Sequence, residues 1–222
     1  MPVTDCTITS TKSFNTRMNY QLFLPHDYEG NTNAQYPVIL FLHGIKKRGK
    51  NIRMLDHYGL VWHAEKQGDF PFIVAAPQCP AGSDWTEQFE TLRALVEELV
   101  AGDLRTDSER VYVSGFSLGG NGAFDFAARA PELIAAAVPI AGFYDPKLAE
   151  RLKEMPIWAF HSVDDDVVSV SRTEEMEEAI TAINGNIKTT YYEGLRHSHQ
   201  VMYETYGQNE LIDWLLSQKR VR

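Results

Sequence analysis

The chain is predicted to fold as an α/β protein, with a mostly parallel central sheet flanked by helices on both faces. Three observations predict this. Short, wholly apolar runs such as Pro37-Val38-Ile39-Leu40-Phe41-Leu42 recur, the pattern of strands covered on both sides. Segments with helical periodicity alternate with them, as in right-handed βαβ units. No internal repeat, low-complexity block or Pro/Ser-rich linker divides the 222 residues, so 1–222 reads as a single domain.

Taken in order, Asn19 to Leu24 reads as a strand stopped by Pro25, and Gly30-Asn31-Thr32-Asn33 as a turn. Pro37 to Leu42 is a strand, Asn51 to Gln67 a helix, and Phe70 to Ala76 another apolar strand. From Thr86 the chain turns helical. Leu92, Leu95, Val96, Leu99 and Val100 recur on one face, Arg93, Glu97 and Glu98 face outward, and Gly102 is a stop. Arg110 to Ser114 and Ala135 to Ile140 are the next strands. A short helix over Pro146 to Glu154 leads to the strand Ile157 to His161. A charged helix over Ser171 to Ile183 ends at Asn184-Gly185, before a last strand, Ile187 to Tyr192, and a last helix, Asn209 to Lys219. Reactive groups in such a sheet are expected beyond the carboxyl ends of its strands.

Bulk composition narrows the partners. Thirty acidic against 21 basic residues give a net charge of −9, which argues against a nucleic-acid groove and against an anionic-membrane anchor. The longest apolar stretches, such as Val38 to Leu42, fall far short of the ~18–20 residues of a membrane span. Cys6 and Cys79 are too few for a disulfide framework and lack metal-ligand spacing, so two reduced thiols are expected. Met1 to Cys6 shows no basic segment followed by an apolar core, and a cytoplasmic location is the expectation. Neither a metal nor another cofactor is expected. His197-Ser198-His199 is weak as a zinc signal.

The most informative string is Gly115-Phe116-Ser117-Leu118-Gly119, between the apolar Arg110 to Ser114 run and the helix-like Gly120 to Arg129. A serine hydroxyl is a weak nucleophile and must be presented at a sharp bend within reach of a base. Glycines two residues to either side let strand and helix approach that bend closely. A base, and a group to hold its tautomer, should then follow later strands. Asp164-Asp165-Asp166 follows the strand ending at His161, and His197 and His199 follow the strand ending at Tyr192. The order Ser, Asp, His differs from that of the trypsin and subtilisin types.

Further motifs stand in register with these: Leu42-His43-Gly44 with Arg48-Gly49, Ala76-Pro77-Gln78-Cys79-Pro80 followed by Trp85, Asp165 with Val167-Val168, Glu193-Gly194 with His197, and Leu211 to Leu216. With them the chain resembles, over nearly its whole length, small α/β-hydrolase-fold serine esterases of the polyhydroxybutyrate-depolymerase/feruloyl-esterase-like and phospholipase/carboxylesterase-like groups. The resemblance implies Ser117 as nucleophile, Asp165 as acid and His197 as base, with His199 the alternative base or a residue of the acyl pocket. Asp164 and Asp166 read as a solvated turn. The resemblance gives His43 a supporting role, and His161 reads as a hydrogen-bonded structural residue. The backbone N–H groups of Leu118 and Ile45 are the expected oxyanion donors.

Two departures from the family pattern stand out. Ile45-Lys46-Lys47-Arg48 replaces the small and acidic residues usual before Arg-Gly, and Ser162 stands where a glycine usually follows the histidine. Only a short link separates Ala141 from Ile157, so little or no lid is expected. Trp85, Phe116, Phe143 and Tyr144 are candidate walls of the substrate pocket. The expected partner is a small-molecule carboxylic ester with a short or aromatic acyl group, carbohydrate-linked esters included. A serine peptidase of prolyl-oligopeptidase type, or a non-catalytic binding protein on the same fold, is the alternative. The terminal sheet edge offers a surface for subunit pairing, but nothing in the sequence demands one.

Overall fold

A computed structural model describes residues 3–10 and 16–220. Met1 and Pro2, read above for a leader, lie outside the described residues. The strands are β1 (Thr4–Ser10), β2 (Thr16–Phe23), β3 (Tyr36–Leu42), β4 (Ile73–Pro77), β5 (Thr106–Phe116), β6 (Ala136–Ile140), β7 (Ile157–Ser162) and β8 (Ile187–Tyr192). They form one sheet in the order β1-β2-β4-β3-β5-β6-β7-β8. From β4 to β8 all neighbours are parallel, and β2 runs antiparallel to both β1 and β4. The helices are α1 (Gly59–Gln67), α2 (Phe89–Ala101), α3 (Leu118–Arg129), α4 (Ser171–Ala182), α5 (His199–Tyr206) and α6 (Asn209–Ser217).

Strand alternation explains why the apolar runs are continuous. Val38, Leu40 and Leu42 of β3 point into a core with Leu92, Leu95, Phe124 and Ile180, under α2, α3 and α4. Ile39 and Phe41 point into a second core with Leu60, Val61, Val201, Met202 and Leu211, under α1, α5 and α6. Both faces of β3 are therefore buried, which is why its run is apolar throughout. Both cysteines are free. Among the described residues no helix is long and apolar enough to cross a membrane.

Several boundaries differ from expectation for local reasons. The helix expected over Asn51 to Gln67 is broken into a 3-10 turn, Ile52–Leu55, and α1. His57 and Gly59 adopt φ of 56° and 69° at the break. Gly59 must be glycine there, because a Cβ would stand 2.3 Å from the Phe41 ring. The link over Pro146–Leu152 is a 3-10 turn with Ala149 and Leu152 buried, and nothing larger lies between β6 and β7. Strand β1 and helix α5 were not expected. Helix α5 spans two turns, started by the Ser198 hydroxyl accepting from the Gln200 N–H at 3.2 Å.

Register lines the strand ends up along one rim, with Leu42 opposite Gly115, Phe116 opposite Ile140, and Ser162 opposite Tyr192. Close backbone packing pins that rim. A Cβ on Gly119 would lie 1.8 Å from the Leu42 carbonyl oxygen, and one on Gly115 would lie 2.4 Å from the Gly119 oxygen. Beyond β3, His43 is buried. Its Nε2 accepts from the Cys79 N–H at 3.0 Å, so its protonated Nδ1 donates to the Gly44 carbonyl at 2.8 Å. Trp85 meets the His43 ring edge-on at 4.9 Å and donates its indole N–H to the His43 carbonyl at 2.9 Å. Burial pushes the His43 pKa down to about 4.

Gly119→Ala should lose at least about 3 kcal/mol in urea unfolding, and a loss below about 1 kcal/mol would mean the rim can relax. A depressed histidine pKa stabilises the fold above the unfolded value near 6.5, and that stability is lost as pH falls toward 4. His43 alone should account for about 2 kcal/mol lost between pH 7 and pH 5. His63, His161 and His199 shift in the same direction. The check is the difference in slope between wild type and His43→Gln, followed by denaturant midpoint against pH.

Candidate active site

Ser117 is the single residue between β5 and α3, with φ 58° and ψ −118°. Such a conformation costs a non-glycine residue on the order of 1–3 kcal/mol. It is held by the Ser117 N–H donating to the Ile140 carbonyl at 2.9 Å and by the Ser117 carbonyl accepting from the Asn121 N–H at 3.1 Å. The bend leaves the residue 8% exposed, in the lining of a cleft.

The loop after β8 brings His197 to this serine, with Nε2 2.9 Å from Oγ. On the other side of the ring, Nδ1 lies 2.7 Å from Oδ2 of Asp165. The Asp165 side chain is fully buried, and its Oδ1 accepts the N–H groups of Val167 and Val168 at 2.9 and 2.8 Å. A carboxylate can only accept from Nδ1, so the tautomer follows: Nδ1 carries the proton and Nε2 accepts from the Ser117 hydroxyl. Phe116 packs 4.9 Å from the His197 ring. The expected residues Ser117, Asp165 and His197 thus stand in one hydrogen-bonded row.

A second imidazole reaches the same carboxylate. His161 Nε2 lies 3.3 Å from Asp165 Oδ2 and donates to the Val168 carbonyl at 2.9 Å, while Nδ1 meets the Thr173 hydroxyl at 2.7 Å. Burial lowers its pKa, against the Val168 contact and the Asp165 charge, which raise it. The structural reading of His161 agrees with this, but its contact with Asp165 had no signal beyond the four-residue spacing.

The neighbouring aspartates stand exposed in the turn expected of them, and they carry hydrogen bonds as well. Asp164 Oδ1 accepts the Ser162 hydroxyl at 2.6 Å, the Gly194 N–H at 3.1 Å and the Arg196 N–H at 3.3 Å. Asp166 pairs with the Arg196 guanidinium and accepts the His197 N–H at 3.4 Å. The Ser162 bond holds the Asp164 carboxyl below its usual range, and Arg196 does the same for Asp166. Ser162, unusual for the family, is therefore one of the ties between the acid loop and the histidine loop.

Leu118 is the first residue of α3, and Ile45 opens a 3-10 turn, Ile45–Lys47. First-turn N–H groups have no acceptor within their own helix. The preceding Gly44 N–H is already engaged, donating to the Tyr58 hydroxyl at 3.4 Å.

The cleft over Ser117 has a volume of about 130 Å³ and is lined by Gly44, Ile45, Lys46, Lys47, Tyr58, Phe116, Val167, His197 and His199. Of the expected walls, Phe116 and His199 line it. His199 stands edge-on to Tyr58 at 4.9 Å, and no contact joins it to Ser117 or Asp165 among the described residues. Trp85 does not line the cleft, because its indole N–H is drawn under the rim to the His43 carbonyl. Phe143 is likewise elsewhere, its ring beneath the Arg172 guanidinium at 4.6 Å. Tyr144 packs against the core instead. Tyr58, which the sequence reading missed, carried no signal apart from an aromatic beside Gly59. Among the described residues no group of His, Cys, Asp and Glu could hold a metal.

Residues 11–186 match the family model described as "Putative esterase". The bifunctional acetylxylan esterase/xylanase XynS20E of Neocallimastix patriciarum is 26% identical over 143 residues, which are 62% of this chain and 20% of that protein. The crystal structure of a thermostable esterase superposes with a TM-score of 0.83 at 31% identity, over 98% of this chain and 63% of that one. A ferulic acid esterase, 16% identical, shares the fold at a TM-score of 0.73 over 96% of this chain and 98% of its own. The chain therefore spans a fifth of the first of these relatives and just under two thirds of the second. With a family match over residues 11–186 and this sheet topology, the chain belongs to that esterase family and has the α/β-hydrolase fold.

Proposed function

We propose that the protein is a serine hydrolase of carboxylic esters, working as one catalytic domain through an acyl-serine intermediate. The observation that carries this reading is the row Ser117 Oγ, His197 Nε2 at 2.9 Å, His197 Nδ1 and Asp165 Oδ2 at 2.7 Å. Family membership supports ester hydrolysis independently.

In the proposed reaction the Ser117 oxygen attacks the ester carbonyl carbon while its proton passes to His197 Nε2. Asp165, accepting from Nδ1, keeps the imidazole oriented and offsets its positive charge. The N–H groups of Leu118 and Ile45 receive the carbonyl oxygen as it becomes an oxyanion. Collapse breaks the bond to the alcohol, which leaves with the proton from His197. A water then loses a proton to His197, attacks the acyl-serine, and the acid departs as the proton returns to Ser117. A buried, uncharged His43 fits a supporting part and not proton transfer.

The cleft of about 130 Å³ is small beside the ~300–1,000 Å³ of sites for drug-sized ligands. Its Tyr58 and Phe116 walls suit a short or aromatic acyl group, and its open mouth suits a bulky alcohol such as a carbohydrate.

A fluorophosphonate should label Ser117, read by peptide mass. Ser117→Ala and His197→Ala should each lower kcat by roughly 10⁶, and Asp165→Asn by roughly 10⁴. His199→Ala should keep acylation and act chiefly on KM. Loss of acylation in His199→Ala but not in His197→Ala would reverse the assignment of the base. Turnover of aminoacyl arylamides without turnover of p-nitrophenyl or feruloyl esters would sink the esterase reading.

A further inference from the structure

The 3-10 turn that supplies the Ile45 N–H also puts two lysines into the cleft wall. The basic run Lys46-Lys47-Arg48, with Lys50 and Arg53 after it, separates on folding into spent and unspent charges. Arg53 pairs with Asp5 and Asp56. Arg48 turns away from the cleft, donating to the Ser83 carbonyl at 2.8 Å, and acts on Asp84. Lys50 lines a separate surface hollow with Arg17.

Lys46 and Lys47 are different. Both line the cleft, and neither has a carboxylate partner among the described residues. Lys47 is held rather than free: Nζ donates to the Met54 carbonyl at 2.7 Å and sits 4.7 Å above the Tyr58 ring. An ammonium has three donors, so two remain. Lys46 is exposed at the mouth.

The acidic groups nearby cannot neutralise them. Asp165 is buried beneath His197, Asp164 is spent on Ser162, Gly194 and Arg196, and Asp166 on the Arg196 guanidinium. In a chain with 30 acidic residues, the wall of this one cleft carries two ammonium groups and no available carboxylate. Beside them the lining includes the apolar Ile45, 50% exposed, and Val167, 69% exposed.

We infer that the cleft selects esters bearing a separate anionic group, a carboxylate above all, which Lys46 and Lys47 bind while the ester carbonyl lies at Ser117. The inference rests on the esterase reading above and adds the substrate class to it. Charge on either side of the ester bond could reach the lysines, so the test carries one arm for each.

On the acyl side, p-nitrophenyl para-carboxybenzoate is compared with p-nitrophenyl para-carbamoylbenzoate. On the alcohol side, para-acetoxybenzoate is compared with para-acetoxybenzamide. The readout is the ratio of kcat/KM for the anionic ester to that for its uncharged partner, in wild type and in the Lys46→Gln/Lys47→Gln double variant. Taking wild type against variant cancels the intrinsic reactivity of each pair. In at least one arm the ratio should be about tenfold higher in wild type at low salt, and half-molar sodium chloride should erase most of that advantage. The single Lys46→Gln change, at an exposed position, should remove part of it. Equal ratios in wild type and variant in both arms, with the esters still turned over, would overturn the anion preference and leave the esterase reading standing. No turnover of any ester together with no fluorophosphonate labelling of Ser117 would remove the esterase reading, and the preference with it.

Discussion

The Leu42 carbonyl oxygen stands so near the Cα of Gly119 that no side chain fits between them. Much of the site depends on that contact between the end of β3 and the first turn of α3. It sets the serine bend beside the Ile45 turn, and Ser117 and Ile45 line one small cleft. The strained backbone at Ser117 persists because it is held between the Ile140 carbonyl at the end of β6 and the Asn121 amide in the first turn of α3. Two well-packed hydrophobic layers, one on each face, provide the rigidity that holds such a bend.

A second constraint is electrostatic. The Asp165 carboxylate is wholly out of solvent, and a buried charge is tolerated only when its lone pairs are satisfied. Two backbone amides occupy one oxygen, and two imidazoles approach the other. The two histidines differ in surroundings. His161 is sealed in, with both ring nitrogens engaged by Thr173 and Val168, whereas His197 keeps one nitrogen turned toward the hydroxyl. Position, more than residue type, decides which of them faces the Ser117 hydroxyl.

Much of this arrangement was legible in the sequence. Continuous apolar runs identified β3 and β4 because both of their faces are covered, and the Gly-x-Ser-x-Gly string identified the bend because steric demand leaves glycine no substitute there. Less visible were features set by partners distant in the chain. Trp85 was read as a pocket wall, yet its N–H is claimed by the His43 carbonyl, 42 residues away. Asp164 and Asp166 do lie in an exposed turn, but their ties to Gly194 and Arg196 were hidden because those partners lie about thirty residues downstream. Helix α5 is too short to show a period.

The lacing of the acid loop to the histidine loop has a consequence for how such a protein can diversify. Three consecutive aspartates and one serine knit the segments after β7 and β8 together, so a residue inserted in one would disturb the other. The Ile45–Lys47 turn gives all three of its residues to the cleft lining. Their side chains can be exchanged while the peptide groups stay where they are. The lining of the cleft can therefore drift at the Ile45–Lys47 turn while the hydrogen-bonded row of Ser117, His197 and Asp165 stays in place.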